Sequence, residues 1–231
     1  MNRTRRLIVF DLDDTLYLER DYAQSGFRAV GRWLEDSIGP NPFADLAWRQ
    51  FCMGRRNDIF DAVLEEMDIR ANGALIRQLV SVYRHHHPDI HLAPDAARLL
   101  GTHPPEGTRY ALITDGFLAA QTRKLRALGL SEMGLWPLIC TDIWGRVYWK
   151  PHARAFECVQ AMHGLPSHAI TYVADNATKD FIAPRRLGWN TVELLRPERV
   201  RANEDMPSGE GADRSVVSLD ALEERHFHSL G

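Results

Sequence analysis

Lysine is nearly absent from this chain. Of its 28 lysines and arginines only Lys124, Lys150 and Lys179 are lysines, which bears on the reading of Lys150 below. Cysteine is as scarce. Cys52, Cys140 and Cys158 form an odd set without CxxC spacing, which predicts small buried hydrophobes in a reducing compartment rather than a disulfide framework. Charge of one sign is not in excess. The formal net charge of -3 offers no polyanion-binding footprint and argues against nucleic acid or a membrane surface as the main partner. Long apolar runs are missing too, since no segment approaches the roughly 20 residues that span a bilayer. Arg3, Arg5 and Arg6 precede the apolar Leu7–Phe10, but that run is too short for a signal peptide and Asp11 ends it. A cytoplasmic protein is expected.

What is present is ordinary globular composition, 45% hydrophobic and 26% charged over 231 residues. That length suffices for one substantial core, or one core plus a modest inserted domain. Four short apolar runs read as buried parallel strands: Leu7–Phe10, Tyr110–Ile113, Leu138–Cys140 and Ile170–Ala174. Weaker runs cover Thr191–Leu195 and Ser215–Val217. Between the later runs lie helical patterns. Leu118, Thr122, Leu125 and Leu128 share one face, and Ala153–Met162 is helical and stops at Gly164. Strand–helix alternation predicts an α/β fold, a Rossmann-like parallel sheet with helices on both faces.

Residues 18–92 break that rhythm. Phe27, Val30, Leu34 and Ile38 recur at helical spacing, as do Ile59, Val63, Leu64 and Met67, then Leu75, Leu79 and Tyr83. Gly39-Pro40-Asn41-Pro42 separates the first two helices. This is too much helix for a crossover, and it predicts an inserted helical cap over 18–92, with the catalytic core formed by 1–17 and 93–231. The tract Glu198–Arg214, rich in Gly, Pro and charge, predicts a loop.

In open parallel sheets ligands bind beyond the carboxyl ends of the strands. After the first run stand Asp11, Asp13 and Asp14, after the second Thr114-Asp115-Gly116, and after the fourth Asp175 and Asp180. Lys150-Pro151 is expected to open a helix between the third and fourth. Two like charges about 4 Å apart repel by about 4 kcal/mol at an effective dielectric of about 20. Asp11, Asp13 and Asp175 would therefore need a cation. Mg²⁺ suits a small all-oxygen ligand set that keeps waters and a phosphate oxygen, and Lys150 would add a compact ammonium.

These residues resemble the haloacid dehalogenase superfamily, in its phosphatase branch with a helical cap inserted after the first motif. The resemblance spans about Leu7 to His226. An apolar strand followed by DxDx[TV] appears as Asp11 to Thr15, the hydroxyl of the second motif as Thr114, the lysine of the third as Lys150, and the paired acids of the fourth as Asp175 and Asp180. The run Thr114-Asp115-Gly116, then Gln121 and Lys124 before Leu128-Gly129-Leu130, looks like the subgroup with nucleotide and N-acylneuraminate phosphatases. Ala174 and Asp115 depart from the Gly and Asn common there.

The resemblance and the chemistry imply the same roles. Asp11 would be the nucleophile, and Asp13 the general acid and then base, with a raised pKa and its backbone carbonyl on the metal. Thr114 and the N–H groups around Asp115 and Gly116 would hold the phosphoryl oxygens. Lys150 would bridge Asp11 and phosphate, Asp175 would bind Mg²⁺, and Asp180 would orient that shell. Lys179 reads as either an outer charge partner or a solvated helix residue, with the latter favoured. Arg55 and Arg56, beside Gly54, read equally as contacts for a second anionic group on the substrate or as a solvated turn. His85, His86 and His87 read as an exposed helix end rather than a chelate, and the six tryptophans as packing.

The expected partner is a small phosphorylated metabolite, such as a sugar phosphate, nucleotide or sugar-acid phosphate, handled by a monomer or homodimer. A phosphomutase would use the same core, and no motif separates the two. A dehalogenase would lack Asp13, and a phosphonatase would need a cap lysine that 18–92 does not contain. A receiver-like phosphoacceptor would carry its aspartate after a middle strand, in a much shorter chain. An inactive binding protein would have no use for the full reacting set.

Overall fold

The computed structural model describes residues 6–200 and 211–222. Those from Arg20 to Ile90 form one compact unit and the rest another. The larger unit is built on six parallel strands: β1 (Arg6–Phe10), β2 (Thr108–Thr114), β3 (Leu138–Cys140), β4 (Ile170–Ala174), β5 (Asn190–Leu194) and β6 (Arg214–Val216). Their order is β3-β2-β1-β4-β5-β6. The chain thus winds away from β1 on one side through β2 and β3, then returns to the other side with β4. That reversal opens a crevice at the carboxyl ends of β1 and β4. Register aligns those ends: Phe10 lies opposite Leu112 and Val173, and Asp11 N–H donates to the Val173 carbonyl at 2.9 Å.

Four helices belong to the sheet: α5 (Pro94–Leu100), α6 (Leu118–Ala127), α7 (Arg154–His163) and α8 (Ile182–Arg186). Strand side chains such as Leu7, Val9, Ile113 and Tyr172 pack with Phe156, Val159, Phe181 and Trp189 in a fully buried layer. Gly164, at φ +61°, closes α7 in the left-handed conformation that ends helices.

Lys150 does not open a helix. It follows two short 3₁₀ turns, Thr141–Trp144 and Arg146–Tyr148, and α7 begins only at Arg154. Two stacked cations brace these turns: the Arg146 guanidinium lies over Phe117 and Trp149, and that of Arg154 over Trp144 and Tyr148. The face of α6 also differs from expectation. Leu118 is 40% exposed, while Gln121 and Lys124 are buried, because those two polar side chains are drawn into the site.

The smaller unit is helical throughout, with α1 (Glu19–Ile38) entering from the larger one, followed by α2 (Phe43–Cys52), α3 (Ile59–Glu66) and α4 (Gly73–His85). It has its own core of Phe27, Val30, Leu34, Phe43, Val63, Leu64 and Leu79. Gly26 is required there, since a Cβ would fall 2.4 Å from the Tyr83 ring. The His85–His87 run is only partly an exposed end. His86 is buried, its ring nitrogens meeting the Tyr83 carbonyl and the Ser25 hydroxyl. Cys52 is exposed and Cys158 partly so, leaving Cys140 as the buried cysteine. Most of the tract Glu198–Arg214 lies outside the described residues. Among the described residues no helix is long and apolar enough to cross a membrane.

Candidate active site

The turn after β1 sets the site. Asp14 sits at φ +53°, a left-handed conformation that side chains seldom adopt. Its carboxylate accepts from the backbone N–H of Glu19 at 2.8 Å and of Val200 at 2.7 Å, which holds the turn. Burial pushes its carboxyl up to about 6. Further support comes from Arg196, which donates to the Thr15 carbonyl and pairs with buried Asp95 at 2.8 Å.

Asp11, Asp175 and Asp180 then converge. One carboxylate oxygen from each lies within 4.8 Å of the others, and all three residues are buried. Asp180, expected to stand behind the metal's ligands, thus reaches the same point as Asp11 and Asp175. Asp13 does not send its carboxylate there. Instead it accepts from Lys124 Nζ at 2.6 Å, from Gln121 Nε2 at 2.9 Å and from the Tyr17 hydroxyl. Neither Gln121 nor Tyr17 was assigned a role from sequence.

Electrostatics follow this geometry. Burial, only partly opposed by Lys150, raises the Asp11 carboxyl to about 6. Burial and the charges of Asp11 and Asp180 raise Asp175 to about 9. A crowded acid cluster of this kind is what a hard divalent cation relieves, and an all-carboxylate donor set suits Mg²⁺. Asp13 goes the other way from the expected rise. Burial works to raise it, but the Lys124 charge and the hydrogen bonds from Lys124, Tyr17 and Gln121 hold it below the usual carboxylate value.

Lys150 is fully buried. Its Nζ lies 2.5 Å from Asp11 Oδ1 and 2.7 Å from Asp180 Oδ1, and it donates to the Tyr172 hydroxyl at 3.0 Å. These partners keep it an ammonium, with its pKa well raised against the opposing effect of burial. Tyr172 looked like strand core in the sequence, and only its hydroxyl position reveals the contact.

Thr114, the last residue of β2, is fully buried, and Gly116 in the turn that follows takes φ +120°. A Cβ on Gly116 would meet Gln121 Nε2 at 2.5 Å, so glycine is needed where that amide crosses the turn to reach the Asp115 carbonyl. Asp115 Oδ1 accepts from the Thr141 hydroxyl at 2.7 Å and from Lys150 N–H at 3.1 Å, while Oδ2 lies 3.3 Å from Lys179 Nζ. Lys179 is therefore not a solvated helix residue but a charge partner, carried on the turn before α8. Arg55 and Arg56 belong to the helical unit and are engaged locally. Arg55 pairs with Asp58 at 2.7 Å, and Arg56 donates to the Phe51 carbonyl and lies 4.2 Å over its ring.

The chain is similar to several known proteins. The glyceraldehyde 3-phosphate phosphatase of Methanocaldococcus jannaschii is 26% identical over 93% of this chain and 94% of its own. The phosphoserine phosphatase of Thermus thermophilus is 29% identical over 72% of this chain and 66% of its own. Among solved structures, the magnesium-bound HAD-hydrolase YfnB of Bacillus subtilis shares the fold at a TM-score of 0.65 and 20% identity, over 95% of this chain and 97% of its own. The family model for haloacid dehalogenase-like hydrolases matches residues 5–188, and the chain belongs to that family.

Proposed function

We propose that the protein is a Mg²⁺-dependent phosphatase that hydrolyses a small phosphomonoester through a phospho-aspartyl intermediate on Asp11. The observation that carries this reading is the buried trio Asp11, Asp175 and Asp180 with Lys150 set against two of its members. The two relatives named above act on small phosphorylated metabolites, which favours the same substrate class.

Asp11, Asp175 and Asp180 would hold the cation, with the Asp13 carbonyl beside them. When bound, Mg²⁺ supplies neutralisation of the phosphate charge and of the clustered carboxylates. The remaining work falls to the chain. The Asp11 carboxylate attacks phosphorus, forming a new O–P bond as the ester O–P bond breaks. Thr114 and the N–H groups of Asp115 and Gly116 hold the equatorial oxygens. Asp13 gives a proton to the departing oxygen, then takes one from the water that attacks the aspartyl phosphate. Its surroundings favour the carboxylate, the form the second step needs. Asp13 also distinguishes this site from a dehalogenase, whose halide leaves without a proton.

A phosphate-release screen over glyceraldehyde 3-phosphate, phosphoserine, sugar phosphates, nucleotides and sugar-acid phosphates tests the reading. Asp11→Asn should abolish release from every ester that turns over, without unfolding the protein. Activity within about tenfold of the unsubstituted protein would remove Asp11 as nucleophile. Glucose bisphosphate turnover without free phosphate would instead mark a mutase.

A further inference from the structure

All three lysines of the chain pair with aspartates of this site: Lys124 with Asp13 at 2.6 Å, Lys150 with Asp11 at 2.5 Å, and Lys179 with Asp115 at 3.3 Å. The third pair raises a physical problem that the first two do not. Asp115 carries a carboxylate on the very turn proposed to receive the phosphoryl oxygens. A phosphomonoester is a dianion near neutral pH, and a bare carboxylate beside it would oppose binding.

The contacts of Asp115 show how that opposition is met. Its side chain is only 9% exposed. Oδ1 is occupied by the Thr141 hydroxyl and the Lys150 N–H, which orient it but carry no charge. The Lys150 ammonium also acts on Asp115 through space, but its contacts are with Asp11 and Asp180. Oδ2 is left to Lys179, whose side chain is one third exposed and whose charge is also felt at Asp11. A flexible stem ending in a compact ammonium can reach Oδ2 from the turn after β4, across the site from the turn that carries Asp115.

We propose that Lys179 is a positioning residue that cancels the Asp115 charge and so keeps the Thr114–Gly116 turn receptive to a phosphate dianion. This rests on the phosphatase reading and adds a specific charge dependence to it. The pair sets anion affinity through its charge balance, whereas an ordinary structural ion pair would act by holding the turn in shape. The two cases differ in sign. If the pair is structural, losing either partner harms binding. If it balances charge, the two losses act in opposite directions.

Calorimetric titration of inorganic phosphate in the presence of Mg²⁺ separates them, using the full chain. Lys179→Met should weaken phosphate binding about tenfold, and Lys179→Arg, which keeps the charge, should weaken it less than about threefold. Asp115→Asn keeps an oxygen for Thr141 and the Lys150 N–H while removing the charge, and should tighten binding a few-fold. The double variant Asp115→Asn with Lys179→Met should bring the dissociation constant back to within about threefold of the starting value. Lys179→Gln replaces Lys179→Met if that variant does not fold, and the Asp115→Asn sign stands without either. Weakening by both single substitutions, or unchanged affinity on losing Lys179, overturns the proposal while leaving the phosphatase reading intact. No phosphate uptake by the unsubstituted protein overturns both.

Discussion

The ammonium of Lys124 lies 2.6 Å from Oδ1 of Asp13, and Lys124 is itself buried. Gln121, one helical turn earlier on the same face of α6, holds the other oxygen at 2.9 Å. The residue proposed to exchange protons with substrate is thus gripped by a cation, an amide and the Tyr17 hydroxyl. This grip explains why its carboxyl is held low despite burial.

Losing Lys124 should therefore show in the pH profile. With p-nitrophenyl phosphate the leaving group departs unaided, so turnover reports the step in which Asp13 must be a base. Lys124→Met removes the cation that lowers the Asp13 carboxyl. The acid-side limb of the rate profile should move to higher pH. A limb that stays in place would separate Lys124 from the ionisation of Asp13.

How much of this was legible depended on what kind of signal carried it. The strands and the carboxylates at their ends announced themselves, because buried parallel strands read as short apolar runs and the acids interrupt them. Asp11, Asp175 and Asp180 could be placed on one edge for that reason. The partners of Asp13 could not. Gln121 and Lys124 stand on an amphipathic helix where polar residues are expected to face water, and Tyr172 sits inside an apolar strand. Whether such side chains turn inward depends on rotamers and on register with segments 22 residues away for Tyr172 and over a hundred for Gln121 and Lys124. Lys179 and His86 failed for the same reason, as local sequence shows no distant partner. Scarcity of lysine was a hint at Lys150 alone, and nothing local singled out Lys124 or Lys179 as partners of Asp13 and Asp115.

The Asp95–Arg196 pair offers a test of what anchors the β1 turn. Burial works against the Asp95 carboxylate, yet Arg196 and the Leu219 N–H hold its pKa below the ordinary value. A lowered folded pKa means the folded state binds fewer protons than the unfolded chain. The pair's contribution is then present above the ordinary carboxylate pKa and lost as pH falls through the folded value. Arg196→Met should cost about 3–5 kcal/mol in urea denaturation at pH 7, because it strands a buried charge. Asp95→Leu with Arg196→Met should cost less. Equal losses for single and double variants would show that the Thr15 carbonyl contact, not the ion pair, matters.

Cation binding should reverse the pH dependence of stability. With Asp11 raised to about 6 and Asp175 to about 9, the chelated folded protein holds protons that the unfolded chain releases near pH 4. Its stability falls as pH rises from there through 9. Mg²⁺ displaces those protons, so its stabilising effect should grow with pH. At 100 times the dissociation constant the gain is about 2.7 kcal/mol. Melting curves with EDTA and with Mg²⁺ at pH 6 and 8 check this. Asp175→Asn should shrink the difference. A Mg²⁺ shift no larger at pH 8 than at pH 6 would contradict the protonated cluster.

The strongest separation of roles comes from Asp13→Asn and the choice of leaving group. An alkyl phosphate departs as a basic alkoxide and needs a proton, whereas p-nitrophenolate does not. If Asp13 is the acid, the substitution should slow the first step far more for a sugar phosphate than for p-nitrophenyl phosphate. For the activated ester the defect moves to the second step, where a base is needed for the attacking water. A burst of nitrophenol should then precede slow turnover, and intact-mass measurement should find phosphate held on Asp11. The asparagine keeps the backbone carbonyl and can still accept from Lys124, so the site need not collapse. Equal first-step losses for both esters, with neither burst nor adduct, would reduce Asp13 to a residue that positions the cation.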